Sequence, residues 1–310
     1  MFQSLWIIGL LLLSCEAERD NPYDPKSPLY RDEGALVGWV KTRTGKPVPG
    51  VVVEISPHNK FSVTDLDGRY EMKCLKSGES KVFASLKGYS RDSGEVTIKI
   101  LKTDTLNFVL DCLPQFEHCL VRTYNIINKN NQAEFETAVA DGDGVVDIDS
   151  VSCWVEDILD TFRLEYDDGV YKKTIQAKTL PGNTLESLAG KDVFFIAYDK
   201  AGSSSVSSPC VITRIIDEIP TLVEPVNFQI VDKNPTLVWN KTLTSFPYSC
   251  RVEVMSTQLG VIWSRDGISS NDTTVTVDEN LEADDYSWVV WIVDEYGNHS
   301  RSITAGFKVK

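Results

Sequence analysis

Histidine is scarce in this 310-residue chain, which holds only His58, His118 and His299. So few imidazoles leave little material for acid–base catalysis at neutral pH or for a nitrogen-rich metal centre. The motifs that announce chemistry are also missing. There is no H-E-x-x-H, no G-x-S-x-G, no P-loop and no G-x-G-x-x-G opening a helix. Helical periodicity is nearly absent, which argues against α/β enzyme folds. Adjacent carboxylates such as Asp284 and Asp285 are too ordinary in an acidic chain to signal a glycosidase. Basic residues are outnumbered, 31 Lys and Arg against 45 Asp and Glu, for a formal charge of −14. Phosphate contacts need the opposite balance, so nucleic acid is not an expected partner. Seven cysteines are too few for a disulfide scaffold at this length, and none forms a C-x-x-C pair. No apolar run reaches the roughly 20 residues of a membrane-spanning helix. What is present is an ordinary globular composition, 42% apolar. The length suits two or three domains of about 100–200 residues.

The amino terminus reads MFQSLWIIGLLLLS and then Cys15. The apolar run Leu5 to Leu13, broken only by Gly9, fits the roughly 7–15 residues of a secretory signal core. Leu12-Leu13-Ser14-Cys15 resembles the bacterial lipobox. The resemblance implies that residues 1–14 are removed, that Cys15 receives a diacylglycerol thioether, and that the new amino terminus is acylated. Each buried methylene contributes about 0.8 kcal/mol, so several chains hold where one is marginal. The segment departs from the usual pattern in having no Lys or Arg before the apolar run. An ordinary secretory signal with a chance cysteine is the alternative. Residues 15–33 carry Pro22, Pro25 and Pro28 and read as an extended stem. The stretch Asp20-Asn21-Pro22-Tyr23-Asp24-Pro25 looks like the stem of some Gram-negative surface lipoproteins.

Short strand-like runs divided by Gly, Pro and Asp follow, as in β-sandwiches. The expected fold is all-β: three tandem sandwiches, at 34–112, 114–217 and 218–310. In the first, Leu36 to Val40 alternates around Gly38. Gly45 to Val53, then Thr64-Asp65-Leu66-Asp67-Gly68-Arg69-Tyr70, then Gly88-Tyr89 follow in order. This order resembles the carboxypeptidase regulatory-like domain, a transthyretin-like sandwich. The resemblance implies a non-catalytic stabilising or docking module. The second module resembles bacterial Ig-like domains and the third a fibronectin type III-like domain, with Trp239 as its core tryptophan. The two share an echo. In each, a strand with apolar residues one, three and five places before an Asp (Asp199, Asp294) exits into a turn with Gly three places on (Gly202, Gly297). Leu281 to Tyr286 looks like a tyrosine corner, which ties a strand to the loop before it.

Candidate sites are few. Asp141, Asp143, Asp147 and Asp149 offer alternating carboxylates of the kind calcium takes. Val145 stands where an EF-hand-type loop has a ligand, so a glycine-rich turn held by Asp hydrogen bonds is the competing reading. Calcium is the one cofactor to consider. If the chain is exported, disulfides can form. Cys74 with Cys112 and Cys153 with Cys210 are the within-module pairs, and small buried apolar packing is the alternative. Trp263 and Trp288 are the aromatics to test for exposure on a sugar-stacking platform, against core packing. Trp288 and Trp291 have opposite strand parity, so one of them faces away from the core. The expected function is a non-catalytic, lipid-anchored envelope or cell-surface protein that binds or scaffolds. Its partners are the membrane, through the lipid at Cys15, and a protein or glycan. The expected location is the outer membrane of a bacterial envelope. The alternative is a glycan-binding accessory protein for polysaccharide capture, and an enzyme with an unrecognised site comes behind both.

Overall fold

The computed structural model describes residues 20–22, 24–126 and 131–310. The expected lipid site at Cys15 lies outside them. No described helix is long and apolar enough to cross a membrane. Strands make up 56% of the chain and helix 5%, so the all-β expectation holds. The chain divides into two compact units, residues 1–111 and 112–310.

The first unit contains β1 (Glu33–Thr42), β2 (Val52–Ser56), β3 (Lys60–Val63), β4 (Arg69–Lys76), β5 (Gly78–Ser85), β6 (Asp92–Ile98), β7 (Thr103–Thr105) and β8 (Phe108–Leu110). One sheet runs β4-β1-β7, with β8 also on β1; the other runs β3-β2-β5-β6. Successive side chains on a strand point to opposite faces. Leu36 and Val40 of β1 and Val53, Ile55, Val82 and Ala84 of the facing sheet therefore share one buried core. Burying each large aliphatic side chain stabilises by about 1.5–3 kcal/mol.

The second unit contains β9 (Gln115–Ile126), β10 (Gln132–Ala140), β11 (Ile148–Val155), β12 (Leu159–Arg163), β13 (Glu165–Asp167), β14 (Val170–Gln176), β15 (Asp192–Asp199), β16 (Ser204–Val206), β17 (Cys210–Val211), β18 (Leu222–Glu224) and β19 (Gln229–Val231). It continues with β20 (Thr236–Trp239), β21 (Tyr248–Ser256), β22 (Gly260–Ser269), β23 (Thr274–Thr276), β24 (Asp285–Asp294), β25 (His299–Arg301) and β26 (Ala305–Val309). The middle and last modules each keep a core of their own. Phe135, Cys153, Val193 and Phe195 belong to the first of these, and Trp239, Val252, Trp288 and Phe307 to the second.

These two modules are nevertheless not joined by a linker alone. One ten-stranded sheet runs β13-β14-β10-β9-β25-β24-β21-β22, with β26 on β24 and β19 on β26. Strand β25 pairs with β9 in parallel, from His299 opposite Tyr124 to Arg301 opposite Ile126. The echoed turn makes this possible. Asp294 Oδ1 accepts from the Asn298 backbone N–H at 2.8 Å, and Asn298 Nδ2 donates to Asp294 Oδ2 at 3.1 Å. Held this way, Asn298 Oδ1 accepts from both the backbone N–H and the hydroxyl of Thr123 on β9, at 3.0 and 2.9 Å. The tyrosine corner forms as expected, with the Tyr286 hydroxyl donating to the Glu282 carbonyl at 3.1 Å.

Candidate functional site

A second sheet of this unit, β12-β11-β15-β16, presents an aromatic face. Val151, Cys153 and Val155 of β11, and Val193, Phe195 and Ala197 of β15, fill the interior. Alternation therefore turns Ser150, Ser152 and Trp154 outward, together with Phe194, Ile196 and Tyr198. Register sets Trp154 opposite Phe194, Ser152 opposite Ile196 and Ser150 opposite Tyr198. The Trp154 and Phe194 rings stack, with centroids 5.0 Å apart and planes 16° from parallel. The turn from β11 to β12 stands beside them. Asp157 there adopts a positive φ of 60°, as the tight return requires. Between floor and turn lies an open cleft of about 630 Å³ lined by Trp154, Glu156, Asp157, Asp160, Ile196 and Tyr198. Its lining combines the side chains of Trp154, Ile196 and Tyr198 with the carboxylates of Glu156, Asp157 and Asp160. Such a surface can stack on the C–H face of a ring while accepting hydrogen bonds from hydroxyls.

The expected aromatics are elsewhere. Trp263 and Trp288 are 5% and 0% exposed, so neither can serve as a platform. Each satisfies its indole N–H inside: Trp263 donates to Asp278 Oδ1 and Trp288 to the Pro225 carbonyl, both at 2.8 Å. The parity rule itself holds, but it is Trp291 that faces outward. That ring is covered. His299 stacks on Tyr124 at 4.7 Å and meets Trp291 edge-on at 5.8 Å, and the Arg301 guanidinium lies 5.4 Å from the Trp291 ring centre. Trp291 thus packs the seam between β9 and β24. Trp154 was legible in the alternation Val151, Cys153, Val155, which leaves it out of phase with the core.

Among the acidic residues, Asp141, Asp143 and Asp147 come together and Asp149 does not. Carboxylate oxygens of Asp143 and Asp147 lie within 4.8 Å of one another. Asp149 is exposed on β11. Asp141 Oδ1 accepts from the Asp143 backbone N–H at 2.8 Å, and Asp143 Oδ2 from the Cys112 N–H at 3.0 Å. These bonds shape a turn. The remaining oxygens Asp141 Oδ2 and Asp147 Oδ2 are buried without a hydrogen-bond partner. Burial first, then the charges of Asp147, Asp143 and Asp199, push the Asp141 carboxyl above its ordinary range.

Of the first expected disulfide pair, Cys74 is exposed on β4. The second pair is excluded by topology. Cys153 lies opposite Phe195 on one side of β15, and Cys210 opposite Val193 on the other. Two strand spacings separate their backbones by at least roughly 9.5 Å. A disulfide spans no more than about 6.8 Å between Cα atoms.

In the first unit, the motif residues explain themselves. Thr64 Oγ1 accepts from the Val51 N–H at 2.9 Å and donates to the Val48 carbonyl at 2.7 Å. Gly68 takes a positive φ of 70°, and a Cβ there would meet the Val40 carbonyl at 2.4 Å. Tyr70 is buried, and its hydroxyl donates to the Leu106 carbonyl at 2.7 Å. Gly38 lies against the same carbonyl, where a Cβ would come within 1.7 Å. Residues 35–111 match the family model of the carboxypeptidase regulatory-like domain. The match falls one residue inside each expected boundary. Within this regulatory-like module His58 Nε2 lies 3.0 Å from Ser80 Oγ. Burial, then Lys60 and Lys76, lower the His58 pKa, so the charges acting on this pair are cationic.

No curated protein matches the chain. Among solved structures, BcpA, the major pilin subunit of Bacillus cereus, is similar at 11% identity. The match covers 90% of this chain and 98% of that one, with a TM-score of 0.29. The fibronectin(III)-like modules of Clostridium thermocellum CbhA match at 13% identity over 63% and 92%, with a TM-score of 0.30. The FN1–FN3 domains of chicken CNTN1 match at 10% over 86% and 92%, with a TM-score of 0.31. At such scores the likeness says nothing about what this chain binds.

Proposed function

We propose that the chain is a non-catalytic protein of the bacterial envelope, anchored to the outer membrane by lipid at Cys15. In this reading its middle module binds a neutral glycan on the Trp154 face. The observation that carries the reading is the outward row Trp154, Phe194, Ile196 and Tyr198, of which Trp154, Ile196 and Tyr198 line an open cleft together with Glu156, Asp157 and Asp160. Stacked aromatic rings match the C–H faces of pyranose rings, and carboxylates accept from their hydroxyls. Those carboxylates and a formal charge of −14 repel anionic polymers, which narrows the glycan to an uncharged one. The regulatory-like module supports the non-catalytic part, and Leu12-Leu13-Ser14-Cys15 supports the anchor.

Two measurements test this. Glycan-array binding by the full chain should fall about tenfold or more in Trp154→Ala, whereas Trp291→Phe should leave it unchanged; a silent array for the wild type removes the glycan. Independently, Cys15→Ser should move the protein from the membrane to the soluble fraction, and unchanged membrane association removes the lipid anchor.

A further inference from the structure

Three cysteines converge in the core of the middle module. Cys119 on β9 comes from one sheet, and Cys153 on β11 and Cys210 on β17 come from the other. The charge on either Cys119 or Cys210 would bear on its neighbours at this separation. Cys153 and Cys210 cannot meet, because β15 lies between their strands.

Cys119 and Cys210 are differently placed. Segment 210–216 travels beside β9. At its far end Asn125 Nδ2 donates to the Ile216 carbonyl at 2.9 Å. At its near end, Cα atoms of β17 come within 8 Å of those of β9. Asn125 follows Cys119 by six residues, and Ile216 follows Cys210 by the same six. Two extended segments running in parallel, in contact at both ends, bring Cys210 abreast of Cys119. Both residues pack against the core. Both are also only half-buried, whereas Cys153 is fully enclosed. Of the three, Cys153 is therefore the one most shielded from an attacking disulfide.

We propose that Cys119 and Cys210 form a disulfide that ties the last strand of the middle module to its first, with Cys153 left as a buried thiol. The reaction rests on the envelope reading above, which places the chain in an oxidising compartment. Each thiol loses a proton, and the pair gives two electrons to the disulfide of an envelope thiol oxidoreductase, which is released as a dithiol. The bridge forms before burial is complete, because burial pushes the Cys210 thiol up to about 12 and quenches its nucleophilicity once folded. The closed loop holds roughly 90 residues, long enough for a substantial effect on the unfolded chain. It also fixes the strand that leads into the last module against the strand that pairs with β25.

The test is thiol mapping of the full chain isolated from the envelope and alkylated without reductant. The expected result is a linked Cys119–Cys210 peptide pair, with Cys153 alkylated only after unfolding. Reductant should lower Tm by roughly 5–10 °C. Cys153→Ser should keep that sensitivity, and Cys210→Ser should lose it. A bridge that includes Cys153 overturns the pairing, and the wild-type map decides even if a variant fails to fold. Protein made in the cytoplasm, unfolded and then refolded with oxidised glutathione, separates the two premises. A bridge formed there but absent from the envelope isolate supports the pairing and overturns the compartment; no bridge in either overturns the pairing.

Discussion

Asp141 is held by a useful bond and an unfavourable field. Its Oδ1 closes the turn to Asp143, while Oδ2 is buried among carboxylates without a partner. Its folded pKa is raised, so the folded state prefers the protonated form. That preference favours folding fully below the ordinary Asp range and is lost as pH rises through the folded value. Asp141→Asn keeps the Oδ1 acceptor and removes the charge. Near neutral pH it is expected to raise Tm by about 1–3 °C, and the gain should vanish as pH falls below the Asp range. Thermal melts of both proteins across pH 3–7, roughly the window of the shift, check this; a gain that persists in acid would refute the charge account. The grouping of Asp141, Asp143 and Asp147 was legible in the sequence. The approach of Asp199 was not, because it arrives from a strand almost sixty positions away.

At the scale of elements, the two echoed turns share one internal geometry and differ in what they touch. Ser203 N–H donates to Asp199 Oδ1 at 2.8 Å, as Asn298 N–H does to Asp294 Oδ1. Only the second puts an amide side chain at its end, and that amide docks on Thr123. Asn298→Ala leaves two buried Thr123 donors unsatisfied and is expected to cost about 2–4 kcal/mol. Hydrogen exchange at β25 should accelerate far more than at β21, and uniform acceleration would mean general destabilisation instead. The Arg214 guanidinium guards the same turn, bonding Asp294 and Glu295 at 3.0 and 3.1 Å and lying over Phe246 at 4.3 Å. Local pattern encoded the turn and its Gly. It could not name Thr123, because parallel pairing of β9 with β25 joins segments with two cores between them in sequence.

At the scale of the molecule, the modules 114–217 and 218–310 are expected to unfold together. A fragment of residues 112–310 should show one cooperative transition, with calorimetric and van't Hoff enthalpies equal. Cutting the shared sheet by removing 218–310 exposes one edge of β9 from Thr123 onward, and such edges invite aggregation. Two resolved transitions in the 112–310 fragment would show that the seam is too weak to couple them.

The alternation of strands, the Asp-Gly turns, the tyrosine corner and the motif of residues 35–111 are local features. Apart from the Tyr70 bond to Leu106, their hydrogen bonds close within a short stretch of chain, so the sequence alone determined them, and with them the all-β class. Burial of Trp263 and Trp288, the convergence of Cys119 with Cys210 and the sheet shared by two modules were decided by tertiary structure. Each depends on which strand lies alongside which, and on which face meets a second sheet. A period of two states that the faces differ; only packing chooses which of them is covered.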